Sequence, residues 1–175
     1  MSNFRQFAFK QFGYLDFENN LQEKLGNQNF SDFIKIVLLE TGAKVTIDFK
    51  EYKLEQDALF FINPGQYHSF SETCCGTMIY YNRDFYCVEI HDKEVACDGI
   101  LFHNVYEIPV VFIKGDESAG MKKILAEIKA EFTADEPGME EMLRILLKQL
   151  IIKSTRIWKQ ERHIVNEEAS RDADF

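Results

Sequence analysis

The stretch ALFFINPGQYHSF, residues 58–70, is the most informative segment for the fold. It begins with a run of apolar strand-forming residues, reaches a turn at Pro64-Gly65 and continues to a single histidine, His68. Proline presets the backbone of a turn, and glycine tolerates the left-handed conformation that many turns require. The segment therefore predicts a strand, a tight turn and a second strand. What His68 does at the start of the second strand depends on the rest of the chain.

Other segments also have the length and composition of strands. They are residues 33–40, 44–54, 76–82 and 107–113. In the second of them Val45, Ile47 and Phe49 alternate with polar residues, which is typical of a strand with one buried face. Short strands separated by turn residues predict a sandwich or barrel. The first 30 residues are less regular, and we expect them to form an edge strand and a mobile arm.

After Gly115 the apolar residues recur with a helical period. Asp116 or Ser118 can cap a first helix, whose apolar stripe contains Met121, Ile124, Leu125, Ile128 and Phe132. The sequence Asp135-Glu136-Pro137 is typical of a helix start, because proline suits the first turn and acidic residues suit the positive end of the helix dipole. This second helix is predicted to end at about residue 162.

The second helix has a wider apolar surface than a helix on one domain needs. Its main stripe contains Met139, Met142, Leu143, Leu146, Leu150 and Ile157, and Ile145 and Ile152 lie nearly opposite. The helix is either wedged between the strands and the first helix, or packed against its own subunit on one side and a second chain on the other. We favour the second arrangement, which predicts a homodimer with the main stripe at the interface.

Composition excludes several classes of protein. The chain has 175 residues and a formal net charge of −9, so it lacks the excess of basic residues that binding to nucleic acid requires. Its uncharged apolar runs are shorter than a membrane span, and its N-terminus lacks a signal-peptide pattern. We therefore expect a cytoplasmic protein without a membrane partner. Its four cysteines fit a reducing compartment.

The histidines and cysteines predict neither a metal site nor catalysis. A metal site in a barrel needs about three imidazoles and a carboxylate, and no histidine precedes His68. Cys87, His91, Cys97 and His103 would make a loosely spaced zinc site, and buried thiols with a solvent-facing histidine are the alternative. The chain also lacks a nucleophile elbow, a phosphate loop and a dinucleotide fingerprint. We expect no cofactor and no enzymatic activity.

The order of these segments resembles a known family. YKLEQDALFFINPGQYHSF (52–70) and YYNRDFYCVEIHDKEVACDGILF (80–102), followed by two helices, are similar to the N-terminal effector-binding and dimerisation domain of AraC-type transcription regulators. Pro64, Gly65 and His68 occupy the positions of the family's turn and histidine. The resemblance covers most of residues 33–165.

The resemblance implies a mainly β, cupin-like fold: a jelly-roll, or double-stranded β-helix, barrel over residues 1–115. Residues 116–165 would be a two-helix dimerisation segment, and residues 166–175 a linker towards a helix-turn-helix DNA-binding domain. Nothing follows Phe175 in this sequence, so DNA binding is expected only through that missing domain. The implied partners are a small-molecule effector and a second copy of the chain.

Aromatic and polar residues near the barrel strands are the candidates for the effector site. They are Tyr52, Tyr67, His68 and Tyr80. His68 either lines the effector pocket or has a structural role in binding a neighbouring strand or the arm. Two other functions are open: a small cupin-fold enzyme, such as an isomerase or a metal-dependent oxygenase, and an assembly domain whose barrel is filled by side chains.

Overall fold

The computed structural model describes residues 4–21, 24, 30–87, 101–102 and 108–173, the last nine as helix backbone only. Nine strands and two long C-terminal helices are defined in these ranges. The strands are β1 (Phe4–Phe7), β2 (Lys10–Glu18), β3 (Ile34–Leu39), β4 (Lys44–Ile47), β5 (Lys50–Lys53), β6 (Ala58–Ile62), β7 (His68–Phe70), β8 (Cys75–Tyr81) and β9 (Val110–Phe112). The helices are α1 (Gly115–Ala134) and α2 (Met139–Ala173). The predicted mainly β chain with two C-terminal helices is confirmed.

The strands form two antiparallel sheets. One has six strands in the order β1-β2-β8-β3-β6-β9, and the other has three in the order β5-β4-β7. The turn at Pro64-Gly65, where Gly65 has φ +80°, carries the chain from β6 in the large sheet to β7 in the small one. The predicted strand, turn and strand are thus correct. The strands that the structure describes do not close into a barrel, because β9 and β5 remain edge strands.

The hydrophobic core occupies both faces of the large sheet. Along β3, Ile34, Ile36 and Leu38 face the helices, whereas Val37 and Leu39 face the small sheet. Because neighbouring side chains of a strand point to opposite faces, a strand buried on both faces reads as a continuous apolar run. β3 and β6 are runs of this kind, and both were predicted from the sequence.

The helices pack on the outer face of the large sheet through the predicted apolar positions. All five residues of the α1 stripe are buried. The sequence predicted that Asp116 or Ser118 caps α1, but neither does. The N-cap is Lys114, and it makes no side-chain capping hydrogen bond. α2 begins at Met139, after the residues Asp135-Glu136-Pro137 that were predicted to start it, and continues to Ala173 rather than ending near residue 162.

The structure corrects two expectations about the strands. Residues 44–54 form a hairpin, β4 and β5, instead of one strand, because Asp48 and Phe49 adopt left-handed conformations with φ of 45° and 70°. The expected N-terminal edge strand is present as β1, but residues 4–18 form a hairpin within the large sheet and not an arm, since β2 pairs with β1 on one side and β8 on the other. Among the described helices, none combines the length and the hydrophobicity needed to cross a bilayer.

Candidate functional site

A cleft of about 650 Å³ lies where the two sheets fail to meet. One wall is β5, the edge strand of the small sheet, and another is β9, the edge strand of the large sheet. The C-terminal half of α2 forms the third wall. The cleft is lined by Lys50, Tyr52, Ile108, Val110, Phe112, Lys114, Trp158, Glu161, Arg162 and Ile164. Its volume lies within the range of about 300–1,000 Å³ found for small-molecule sites.

The spacing of residues on α2 explains its contribution to the cleft. Trp158, Glu161 and Arg162 are separated by three and four positions, which places them on one face of a helix. The guanidinium of Arg162 lies 4.3 Å from the centre of the Trp158 ring, a cation–π contact. Trp158 itself is buried and belongs to the core between the helices and the large sheet. This wall of the cleft is therefore anchored to the core.

On the opposite wall, Lys50 and Tyr52 point to the same face of β5 because they are two positions apart. The Tyr52 ring packs edge-on against Phe60, with ring centres 5.5 Å apart, and Lys50 Nζ lies 5.1 Å from the Tyr52 ring centre. The Tyr52 hydroxyl is buried and makes no hydrogen bond with any residue that the structure describes. A buried hydroxyl without a partner costs roughly 1–3 kcal/mol, so a polar group bound beside it would offset this cost.

The charged residues of the cleft are mostly cationic. Of the lining residues that the structure describes, Lys50, Lys114 and Arg162 are cations and Glu161 is the one carboxylate. Burial raises the pKa of Glu161, and the nearby charge of Lys114 partly opposes this rise. In a chain with a formal net charge of −9, this cleft gathers positive charge that the sequence does not show as a basic run.

The space between the sheets contains a second set of polar groups. Lys35 on β3 is completely buried, and its amine donates to the carbonyl of Phe33 at 3.0 Å. Burial lowers the pKa of Lys35 to about 8 and raises that of Tyr80, its register partner on β8, to about 12. Burial also lowers the pKa of His68, and the charge of Lys35 adds to the effect.

The four predicted effector residues do not converge on one volume. Tyr52 lines the cleft. Tyr80 lies in the core between the sheets, where its ring meets those of Phe30 and Phe33 edge-on. Tyr67 is exposed and stacks on Phe49. His68 donates from Nδ1 to the carbonyl of Gln66 at 3.0 Å and contacts the ring of Phe70, which are structural contacts at the start of β7.

The predicted dimer-interface stripe is mostly used within the chain. Five of its residues are buried against the sheet and α1: Met139, Leu143, Leu146, Leu150 and Ile157. Only Met142 of this set is exposed, by 44%. Ile145, from the opposite side of the predicted helix, is exposed by 50%. The interface stays a prediction, and its apolar candidates on α2 are Met142, Ile145 and the partly buried Ile152.

Sequence reasoning missed most of the cleft. Glu161 and Arg162 belong to a polar stretch that predicted a helix end, and Lys50 and Lys114 are isolated lysines beside turns. A detectable signal was Trp158, a large aromatic residue three positions before Glu161 on the same helix face. Lys35 also had a signal, because a lysine inside an apolar run that forms a doubly buried strand is necessarily enclosed.

The proposed zinc residues His91, Cys97 and His103 lie outside the described residues. Cys87 is a free thiol, as are Cys74 and Cys75, the latter at the start of β8. Within the described ranges, no three histidine, cysteine, aspartate or glutamate side chains are grouped closely enough to hold a metal ion.

No protein-family model matches the chain. No curated protein matches its sequence. Among solved structures, the crystal structure of the AraC-like transcriptional activator CuxR is similar, with a TM-score of 0.42 and 10% sequence identity. The match covers 81% of this chain and 51% of that chain, so this chain spans about half the length of that activator. A likeness at this identity and TM-score identifies neither a function nor a site.

Proposed function

We propose that the chain is the effector-sensing and dimerisation domain of an AraC-type transcription regulator, with a cupin-like fold. The order of the sequence motifs supports the family, and the two sheets followed by two helices agree with it. DNA binding would belong to a separate domain of the parent protein. The small-molecule effector would bind in the cleft between β5, β9 and α2.

The observation that carries the proposal is that both sheets and α2 line one cleft. A ligand bound there contacts Tyr52 on the small sheet, Val110 on the large sheet and Trp158 on α2. It can therefore favour one packing of α2 over another, by as much as its affinity for the two packings differs. Such a difference is what a sensor domain needs in order to report occupancy.

The exposed face of α2 supports dimerisation through the same helix. Met142, Ile145 and Ile152 are separated by three and seven positions, so they lie on one side of the helix. We propose that a second copy covers this face. A ligand in the cleft and a partner chain would then contact different sides of α2. Because each would favour one packing of α2, the two binding events would be coupled.

A ligand screen with a matched cleft variant tests the proposal. Thermal unfolding of the wild type and of Val110→Trp, which fills the cleft, would be measured against a panel of metabolites. The proposal expects at least one compound to raise the unfolding temperature of the wild type alone and to change its monomer–dimer equilibrium in sedimentation. Compounds that stabilise both proteins equally, or that bind without changing the equilibrium, would contradict the sensor function.

A further inference from the structure

We propose, resting on the function above, that the cleft selects a small organic anion with an apolar body. Among the described residues, three of the four charged side chains that line it are cations, although acidic residues outnumber basic ones in the chain. A positively charged cleft with apolar walls concentrates the field and attracts anions. The lining charges and the Tyr52 hydroxyl, which has no partner among the described residues, indicate the anionic group of this ligand. The apolar walls indicate its apolar body.

The anionic group would bind among Lys50, Lys114 and the Tyr52 hydroxyl. Neither lysine forms an ion pair with a carboxylate in the part of the chain that the structure describes. Lysine carries three donors and no acceptor, and the buried Tyr52 hydroxyl also has a proton to donate. A carboxylate, sulfonate or phosphate supplies only acceptors, so its oxygens match these donors.

The apolar body of the ligand would lie along β9 and α2. Val110 and Phe112 project into the cleft from β9, and Ile108 precedes them. Trp158 and Ile164 face them from α2. Burying apolar surface against these side chains contributes roughly 25 cal/mol per Å², which a small inorganic ion cannot gain. The ligand is therefore an amphipathic anion and not a free phosphate or sulfate.

The negative charge of Glu161 opposes the binding of an anion in the cleft. Removing this charge and removing a positive charge should therefore change the affinity in opposite directions. The Glu161 carboxylate lies in the field of Lys114, as the effect of that lysine on its pKa indicates. Removing the negative charge without changing the shape, as in Glu161→Gln, should strengthen anion binding. Removing the positive charge of Lys50 or Lys114 should weaken it.

Two fluorescent probes of nearly equal shape separate charge from apolar binding. 8-Anilino-1-naphthalenesulfonate carries an anionic group, and N-phenyl-1-naphthylamine is its neutral counterpart. Both would be titrated into the wild type, Lys50→Met, Lys114→Met and Glu161→Gln. Lys123→Met, a change at an exposed lysine of α1, is the control, and Lys50→Arg retains the charge. Circular dichroism would establish that each variant is folded.

The expected result is that each lysine-to-methionine change in the cleft lowers the affinity for the sulfonate probe by about tenfold. Glu161→Gln should raise this affinity by about threefold, and Lys50→Arg and Lys123→Met should change it by less than about twofold. The neutral probe should respond to none of them. A wild type that does not bind the sulfonate, or cleft variants that affect both probes equally, would overturn the proposal.

This result is separable from the proposed function. If the sulfonate binds with the expected charge dependence but leaves the monomer–dimer equilibrium unchanged, the anion site stands and the sensor function fails. If the metabolite screen finds only neutral compounds that bind the cleft and change the equilibrium, the sensor function stands and the anion site is wrong.

Discussion

The amine of Lys35 donates to the carbonyl of Phe33 at 3.0 Å inside a core where Lys35 has no exposed surface. Of the described residues, Asp32 supplies the opposite charge that acts on it, without forming an ion pair. A charged amine enclosed with one carbonyl partner among the described residues loses more hydration than it regains. Lys35 is therefore a cost to the folded state near neutral pH.

Replacing Lys35 with methionine should stabilise the chain at pH 7, by up to about 3 kcal/mol. Burial lowers the lysine pKa from 10.5 to about 8, so between these values the unfolded state binds more protons. The free energy of unfolding of the wild type should rise with pH across this window, and that of Lys35→Met should rise less. Urea unfolding at pH 7, 8, 9 and 10 measures both slopes. Lys123→Met should keep the wild-type slope, and an equal slope in Lys35→Met would contradict the assignment.

Asp57 joins α1 to the loop before β6 and should contribute to stability above acidic pH. Its carboxylate accepts from Lys122 Nζ at 2.7 Å and from the backbone nitrogen and hydroxyl of Thr41 at 3.0 Å each. Although burial raises its pKa, these hydrogen bonds lower it below the usual value of 3.8. The stabilisation is present above that usual value and is lost as the pH falls through the lowered pKa.

Asp57→Asn keeps an oxygen for Thr41 and removes the charge that binds Lys122. Because half of the Lys122 side chain is exposed, solvent screens the pair, and we expect a loss of about 0.5–1 kcal/mol at pH 7. Denaturant unfolding at pH 7 and at pH 3 should show a smaller difference between wild type and variant at the lower pH. A difference that persists unchanged at pH 3 would assign the loss to packing instead.

Phe49 is strained at the tip of the β4–β5 hairpin. It is 90% exposed and has a φ of 70°, a conformation that side chains other than glycine and asparagine rarely adopt. Phe49→Gly should raise the unfolding temperature, corresponding to roughly 0.5–1 kcal/mol, in a differential scanning experiment. Phe49→Ala keeps the strain without the ring and should bring no gain. Equal gains from both variants would mean that the ring, and not the backbone, is unfavourable.

Gly13 is required by the ring that covers it. A Cβ at this position would lie 2.0 Å from Cζ of Tyr80, which is buried between the sheets. Gly13→Ala should cost about 2–4 kcal/mol, whereas Gly120→Ala, in open space on α1, should stabilise by about 0.5–1 kcal/mol. Chemical denaturation of both variants measures this. The loss at Gly13 should shrink in a Tyr80→Leu background, and an undiminished loss would exclude the ring as its cause.

The sequence predicted those elements whose side-chain pattern reports burial directly. β3 and β6 are apolar runs, and α1 buries each residue of its predicted stripe. The β4–β5 hairpin was missed because Phe49 continues the apolar alternation of Val45 and Ile47 although it lies in the turn. A turn whose residues adopt strained backbone conformations cannot be recognised from the pattern of hydrophobic residues.

The candidate site was less predictable because its walls come from distant segments. Tyr52 was predicted to bind the effector and does line the cleft, but Lys50, Lys114 and Arg162 meet there only through the packing of α2 beside β9. The dimer stripe illustrates the opposite problem. Its helical period predicts a buried face correctly, but it does not distinguish burial against the chain's own sheet from burial against a second chain.

Sedimentation velocity over a range of protein concentrations tests most directly whether the exposed face of α2 joins two copies. The proteins to compare are the wild type, Met142→Asp with Ile145→Asp, and Ala126→Asp, a matched change at an exposed position of α1. We expect a wild-type dimer, an unchanged control, and a folded double variant whose dissociation constant is raised by at least about tenfold. A folded wild type that stays monomeric at high micromolar concentration, or a double variant that dimerises like the wild type, would contradict dimerisation through this face.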